Sequence, residues 1–194
     1  MLLTLVKMVH LVALGLWAGA MFFFSFFTAL PIIGKVPELM TRPDHWLQLS
    51  DAKAGTRVAG EVLDILFQRY FPFQAAVGIV TVLTAVWLAT VPGWLGKIRL
   101  GLLALALLLL AVNWMVLAPA VHQARSMRYA ADPQTAAQGE AEFGPRHTKS
   151  LMTDMATLAL VLIGLALAAC MPDGQSSVAA AGSAQAPASG GRVE

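Results

Sequence analysis

Glu142-Phe143-Gly144-Pro145-Arg146-His147-Thr148-Lys149-Ser150-Leu151-Met152-Thr153-Asp154-Met155-Ala156, continued by a run to Met171 that carries no charge, decides the fold. His147, Ser150 and Asp154 stand at i, i+3 and i+7, the spacing of one helical face. That face leads into a segment apolar enough for a lipid interior, where polar groups need partners. A polar stripe entering a membrane helix therefore predicts further helices packed around it.

The rest of the chain has the same character. Apolar residues make up 58% of the 194 and charged residues 12%, with a mean hydropathy of +0.69. A soluble domain carries about a quarter charged residues, so this composition describes an integral membrane protein. No internal repeat is visible, and one helical domain over 1–171 is expected. Apolar stretches at 3–33, 73–95, 98–121 and 151–171 meet or approach the length of about 20 residues that crosses a ~30 Å hydrocarbon layer. They lack the period of two of a barrel strand, so each must be a helix that satisfies its own backbone. The predicted fold is all-α, a four-helix transmembrane bundle. The first stretch reads as a retained helix, because no basic residue precedes Lys7 and its run is far longer than a signal core.

Between helices one and two, 34–72 is the one long connection. Its first half contains Pro37, Pro43 and Gly55 and reads as irregular, with His45 beside Trp46 as a surface residue. Its second half, 57–70, places Arg57, Glu61, Asp64 and Gln68 on one helical face and Val58, Val62, Ile65 and Leu66 on another. This predicts an amphipathic helix lying at the membrane surface or against the bundle. From Pro172 onward Ala, Gly, Ser and Pro dominate, and 172–194 is expected to be disordered. The lone Cys170 is expected to be an apolar filler.

Nine of the thirteen Lys and Arg residues lie in the connections between helices one and two and between three and four: Lys35, Arg42, Lys53, Arg57, Arg69, Arg125, Arg128, Arg146 and Lys149. Lys7, Lys97, Arg99 and Arg192 lie on the other side. The asymmetry predicts both longer connections in the cytoplasm and both termini outside, in a bacterial inner membrane.

Several marks together resemble the transmembrane protein 205-like family, also called the domain-of-unknown-function 4149 group. They are Leu5-Val6-Lys7-Met8-Val9-His10 through Trp17-Ala18-Gly19 and the Phe-rich run to Pro31; Ala59-Gly60 before Leu66-Phe67-Gln68-Arg69-Tyr70-Phe71-Pro72; Asn113; and Phe143-Gly144 with His147 and Ser150. The resemblance spans about residues 5 to 171 and implies a small four-helix membrane protein of undefined biochemistry. Where that family usually has Asn seven positions after the His, this chain has Asp154. Either the site has gained a charge or the carboxyl takes a proton. The His10-to-Trp17 pattern is also similar to the start of copper-resistance-D-type membrane proteins, which implies a haem- or metal-linked redox role as an alternative.

Depth limits which polar groups can meet. At 1.5 Å per residue, His10 lies about 10 Å and Trp17 about 21 Å along helix one, with Asn113 about 22 Å along helix three. His147 begins at the opposite end, so His10 and His147 cannot clamp one haem, although haem b on His10 alone stays open. His122 and His147, with Glu140, Glu142 or Asp154, could form a transition-metal site, but no tight ligand spacing supports one, and no cofactor is expected. His10, Trp17 and Asn113 read as interhelical polar contacts, with Asn113 bonding across the Gly15–Gly19 face, which could also pair with a second copy of the chain. Arg57, Glu61, Arg69, Tyr70, His147, Ser150 and Asp154 could converge on one cytoplasmic polar mouth for a small molecule, metal or proton, with Arg57 or Arg69 as counter-ion to Asp154. Motifs of known enzymes are missing and the basic residues are dispersed, so neither catalysis nor nucleic-acid binding is indicated.

Overall fold

The computed structural model describes residues 1–42, 52–90 and 93–170. The expectations for His45, Trp46 and the tail at 172–194 lie outside these residues. Four rods make up the protein: α1 Leu2–Met40, α2 Ala52–Leu88, α3 Trp94–Arg128 and α4 Pro133–Ala169. Each is long and apolar enough to cross a membrane, and no strand occurs among the described residues. The chain is thus an all-α, multi-pass membrane protein. The rods pack in the cyclic order α1, α2, α3, α4, each against its neighbours in the chain and α4 back against α1. Leu14, Trp17, Met21, Leu103, Leu110 and Val161 fill the interior, while Leu5, Val12, Leu83, Leu108 and Ile163 face outward.

The rods are much longer than the apolar stretches predicted. From the exposed Trp94 to Trp114 the rise is about 30 Å, the thickness of a hydrocarbon layer, and exposed tryptophans favour its two boundaries. Trp114 stacks over Phe71 with centroids 6.4 Å apart. Ser150 bonds Asn113 at 2.7 Å. Arg69, Trp114 and Lys149 therefore share one boundary. Beyond it all four rods continue for roughly 25 Å, polar in α2, α3 and α4, whereas in α1 Phe26, Phe27, Leu30 and Ile33 stay exposed.

Of the two placements expected for the helix at 57–70, the structure has the one against the bundle. Residues 57–70 are helical, but they run through Pro72 into the second spanning helix as one 37-residue rod. Its buried side, Ala59, Leu63 and Tyr70, packs toward α1 and α3, while Val62 and Ile65 of the expected apolar face are exposed. Gly55 makes this possible: a Cβ there would lie 2.8 Å from the Pro37 Cα, so only glycine lets the ends of α1 and α2 touch. Likewise 133–150, polar and predicted to be a loop, is the first half of α4. Asp132 caps that helix, accepting from the Thr135 N–H at 2.8 Å, and Pro133 sits in the first turn. The bonds from Thr135 hold the Asp132 carboxyl below its ordinary range.

Two wide π-turns interrupt the rods, Phe23–Ala29 in α1 and Asn113–Leu117 in α3. Each precedes a proline, Pro31 and Pro119. A proline has no N–H for the carbonyl four residues back, and a turn widened by one residue brings the next N–H within reach. Pro37, Pro72 and Pro145 also lie within rods. Gly15 and Gly19 are exposed with no atom near either, so Asn113 does not bond across them.

Candidate functional site

The predicted polar mouth separates into two sites, and a third cluster lies at the other end of the bundle. The first is a groove in the extramembrane layer, about 200 Å³, lined by Arg57, Glu61, Asp64, His122, Arg125, Ser126 and Tyr129. The Arg125 guanidinium reaches across from α3, donating to the Gly60 carbonyl at 2.8 Å and to the Asp64 carboxylate. His122 Nδ1 lies 2.8 Å from the same carboxylate. Arg57 pairs with Glu61 at 3.0 Å on the open side. Lys53, Arg57 and Arg128 each stand within 6 Å of the Tyr129 ring. Arg128 also pairs with Glu140, and Arg146 with Glu142 at 2.7 Å. Glu61, Asp64, Glu140 and Glu142 are thereby engaged by cations of neighbouring turns and rods, which ties the layer together.

The second site lies just inside the lipid boundary. Trp17 Nε1 donates to Gln74 Oε1 at 3.0 Å, wholly buried, and leaves Gln74 Nε2 without a partner. One turn back, the Tyr70 hydroxyl is buried, outside strict hydrogen-bond geometry, with the Gln74 side chain as its nearest hydrogen-bonding neighbour and Asp154 facing it. Its ring is fixed by Phe24, stacked 4.0 Å away. Ser25, in the π-turn of α1, faces the Asp154 carboxyl. Ser150 donates to Asn113 Oδ1, and Asn113 opens the π-turn of α3. Both widened turns therefore stand at the level of this polar vestibule, where such turns re-aim side chains. An unmet buried donor in a lipid-embedded interior is costly, which sets Tyr70 Oη and Gln74 Nε2 apart from the rest of the core.

The third cluster enters from the terminal end. His10 is buried on α1, its Nδ1 2.8 Å from Thr84 Oγ1 on α2 and its Nε2 unpartnered. Thr81 and Arg99 are buried beside it.

The candidate residues are thus redistributed. Tyr70, Ser150 and Asp154 meet in the vestibule with Trp17 and Asn113, while Arg57 and Glu61 belong to the groove. Arg69 is exposed at the lipid boundary. His147 is also exposed, stacked on Phe143 at 5.4 Å. Neither Arg57 nor Arg69 stands as counter-ion to Asp154, whose neighbours are Ser25 and Tyr70. His122 is engaged by Asp64 and not by Glu140, Glu142 or Asp154. Among the described residues no three His, Cys, Asp or Glu side chains come together as a metal site. The sequence reading missed Ser25, Gln74, Thr81 and Thr84. One signal exists for Gln74 and Thr81: Tyr70, Gln74, Gly78, Thr81 and Ala85 repeat at helical spacing as polar or small residues within an apolar stretch.

A family model described as a domain of unknown function, DUF4149, matches residues 12–130, more than half of the chain. No curated protein and no solved structure matches. The match takes in α1 from Val12, all of α2 and all of α3, and leaves α4 with Ser150 and Asp154 outside.

Proposed function

The chain belongs to the DUF4149 family, whose description assigns no activity, and from that premise we propose that it is an accessory membrane protein that takes up a small hydrogen-bonding molecule in the vestibule. The reading rests on one observation: Tyr70 Oη and Gln74 Nε2, both buried and both lacking a partner, lie on the same wall beside the Asp154 carboxyl. Two donors facing an acceptor suit a molecule that both accepts and donates, such as a hydroxyl, an amide or water. The resemblance to the transmembrane protein 205 type supports an accessory role. The weight of Lys and Arg at the extramembrane layer supports a cytoplasmic mouth, with both termini outside.

Accessibility tests the reading. In a Cys170→Ser background, Gln74→Cys is expected to react with a small, membrane-impermeant thiosulfonate added on the charged side. Reaction at a rate well above that of Val77→Cys supports a water-reachable vestibule, and equal rates contradict it.

A further inference from the structure

The groove between α2 and α3 is built by two matching helical faces. Arg57, Glu61 and Asp64 stand at i, i+4 and i+7 on α2, opposite His122, Ser126 and Tyr129 at the same spacing on α3. Its inner end is closed by bonds within the protein, since Asp64 accepts from Arg125 and stands 2.8 Å from His122 Nδ1. Its outer end holds donors that the fold does not use. Arg57 gives its Nε to Glu61 and Arg128 gives its Nε to Glu140, and in neither does a terminal guanidinium nitrogen bond to another described residue. Lys53 meets only the Tyr129 ring, its ammonium 5.9 Å from the centroid. The guanidinium carbons of Arg57 and Arg128 lie 5.7 and 5.9 Å from the same centroid. Three cations thus converge on one phenol, and only two of them have an acid. Over the groove and its rim, Lys53, Arg57, Arg125 and Arg128 stand against Glu61, Asp64 and Glu140, so a positive charge is left over where the donors are.

We infer that the outer end of the groove binds a small oxyanion of the phosphate type, taken from solution. The terminal nitrogens of an arginine form a planar pair that matches two oxygens of such an ion, and Lys53 adds a point charge beside them. Size limits the ligand. The groove encloses about 200 Å³, below the ~300–1,000 Å³ of pockets that hold drug-sized molecules, which suits a phosphate group or a short ester of one. Depth decides the source. Arg57 lies about 18 Å beyond Arg69 and Arg128 about 21 Å beyond Trp114, whereas headgroups extend only about 5–8 Å past the hydrocarbon on each side. The phosphates of a bilayer therefore stop short of the three cations. The site is separate from the vestibule and does not depend on it.

Inorganic phosphate serves as the probe. Purified full-length protein in phosphatidylcholine nanodiscs is melted in rising phosphate, with chloride holding the ionic strength constant. A ligand of the native state raises the melting temperature as its concentration passes the dissociation constant. A saturable rise of several degrees is expected, with a half-point on the order of 1 mM. Lys53→Gln and Arg57→Gln, both at exposed side chains, are each expected to raise that half-point about tenfold, the equivalent of one lost bond to a charged group. Lys149→Gln, at the lipid boundary, is expected to leave it unchanged. No saturable rise overturns the site. A rise that both groove variants leave unchanged also overturns it, because the ion then binds elsewhere. Nanodiscs containing phosphatidylglycerol separate the two sources. The same half-point supports a soluble ligand, whereas stabilisation by this lipid that removes the phosphate response, in the native protein but not in Arg57→Gln, makes the oxyanion a headgroup and overturns the assignment to solution.

Discussion

Gly139→Ala is expected to destabilise the bundle by about 2–3 kcal/mol, although alanine in a helix interior ordinarily gains up to ~1 kcal/mol over glycine. The reversal comes from the α3–α4 contact. A Cβ at Gly139 would sit against the backbone N of Arg128 and 2.6 Å from the Met127 carbonyl carbon. Neither atom belongs to a side chain that can rotate away, so the two rods must separate where Arg128 pairs with Glu140. Gly144→Ala is the internal control. It lies on the same rod, exposed, with no atom within 4 Å of its added carbon. It is expected to raise the melting temperature slightly while Gly139→Ala lowers it by roughly 4–10 °C, measured in the same detergent. Equal shifts would mean that α3 and α4 do not meet at this point.

The second large effect is expected at Arg125. Its side chain is 16% exposed and the Asp64 side chain 26%, so water screens the pair only in part. Arg125→Met leaves the Asp64 carboxylate half-buried with His122 alone and frees the Gly60 carbonyl, which predicts a loss of about 2–3 kcal/mol. Arg125→Lys is not a conservative repair. A carbonyl and a carboxylate on two successive turns of α2 require the guanidinium fork, and an ammonium reaches only one of them well. Asp64→Asn combined with Arg125→Met is expected to cost less than the sum of the two single changes, by 1 kcal/mol or more, in a double-mutant cycle followed by thermal melting. Additive losses would show that the pair is not coupled. Arg57→Ala, which breaks an exposed pair with Glu61, is expected to change stability little.

Apolar length alone was enough to predict the four spanning helices, because a lipid interior leaves a backbone few choices. It could not predict how far the helices continue. Residues 52–70 and 133–150 are polar, and their helicity comes from tertiary partners that composition does not reveal, such as the Gly55 and Gly139 contacts and the Arg125 bridge. The polar stretch that follows Asp132 resembles a loop in composition. At the site, Tyr70, Ser150 and Asp154 were legible as candidates because they are polar residues beside apolar stretches. His147 and Arg69 share that sequence neighbourhood but point outward, and spacing on one helix cannot tell which side its partners occupy. Gln74 was overlooked because a single amide in an apolar run has little weight until Trp17 is seen to bind it.

The central claim is that α2 is one rod whose polar side faces the bundle from the extramembrane layer to the far boundary. A nitroxide scan of residues 58–88 in liposomes, read by collision with molecular oxygen, tests it directly. The account predicts an unbroken helical period with minima at Gln74, Gly78, Thr81 and Ala85 and maxima at Phe73, Ile79 and Leu83. A loss of phase at Pro72, or lipid-level oxygen collision at Gln74 and Thr81, would contradict it.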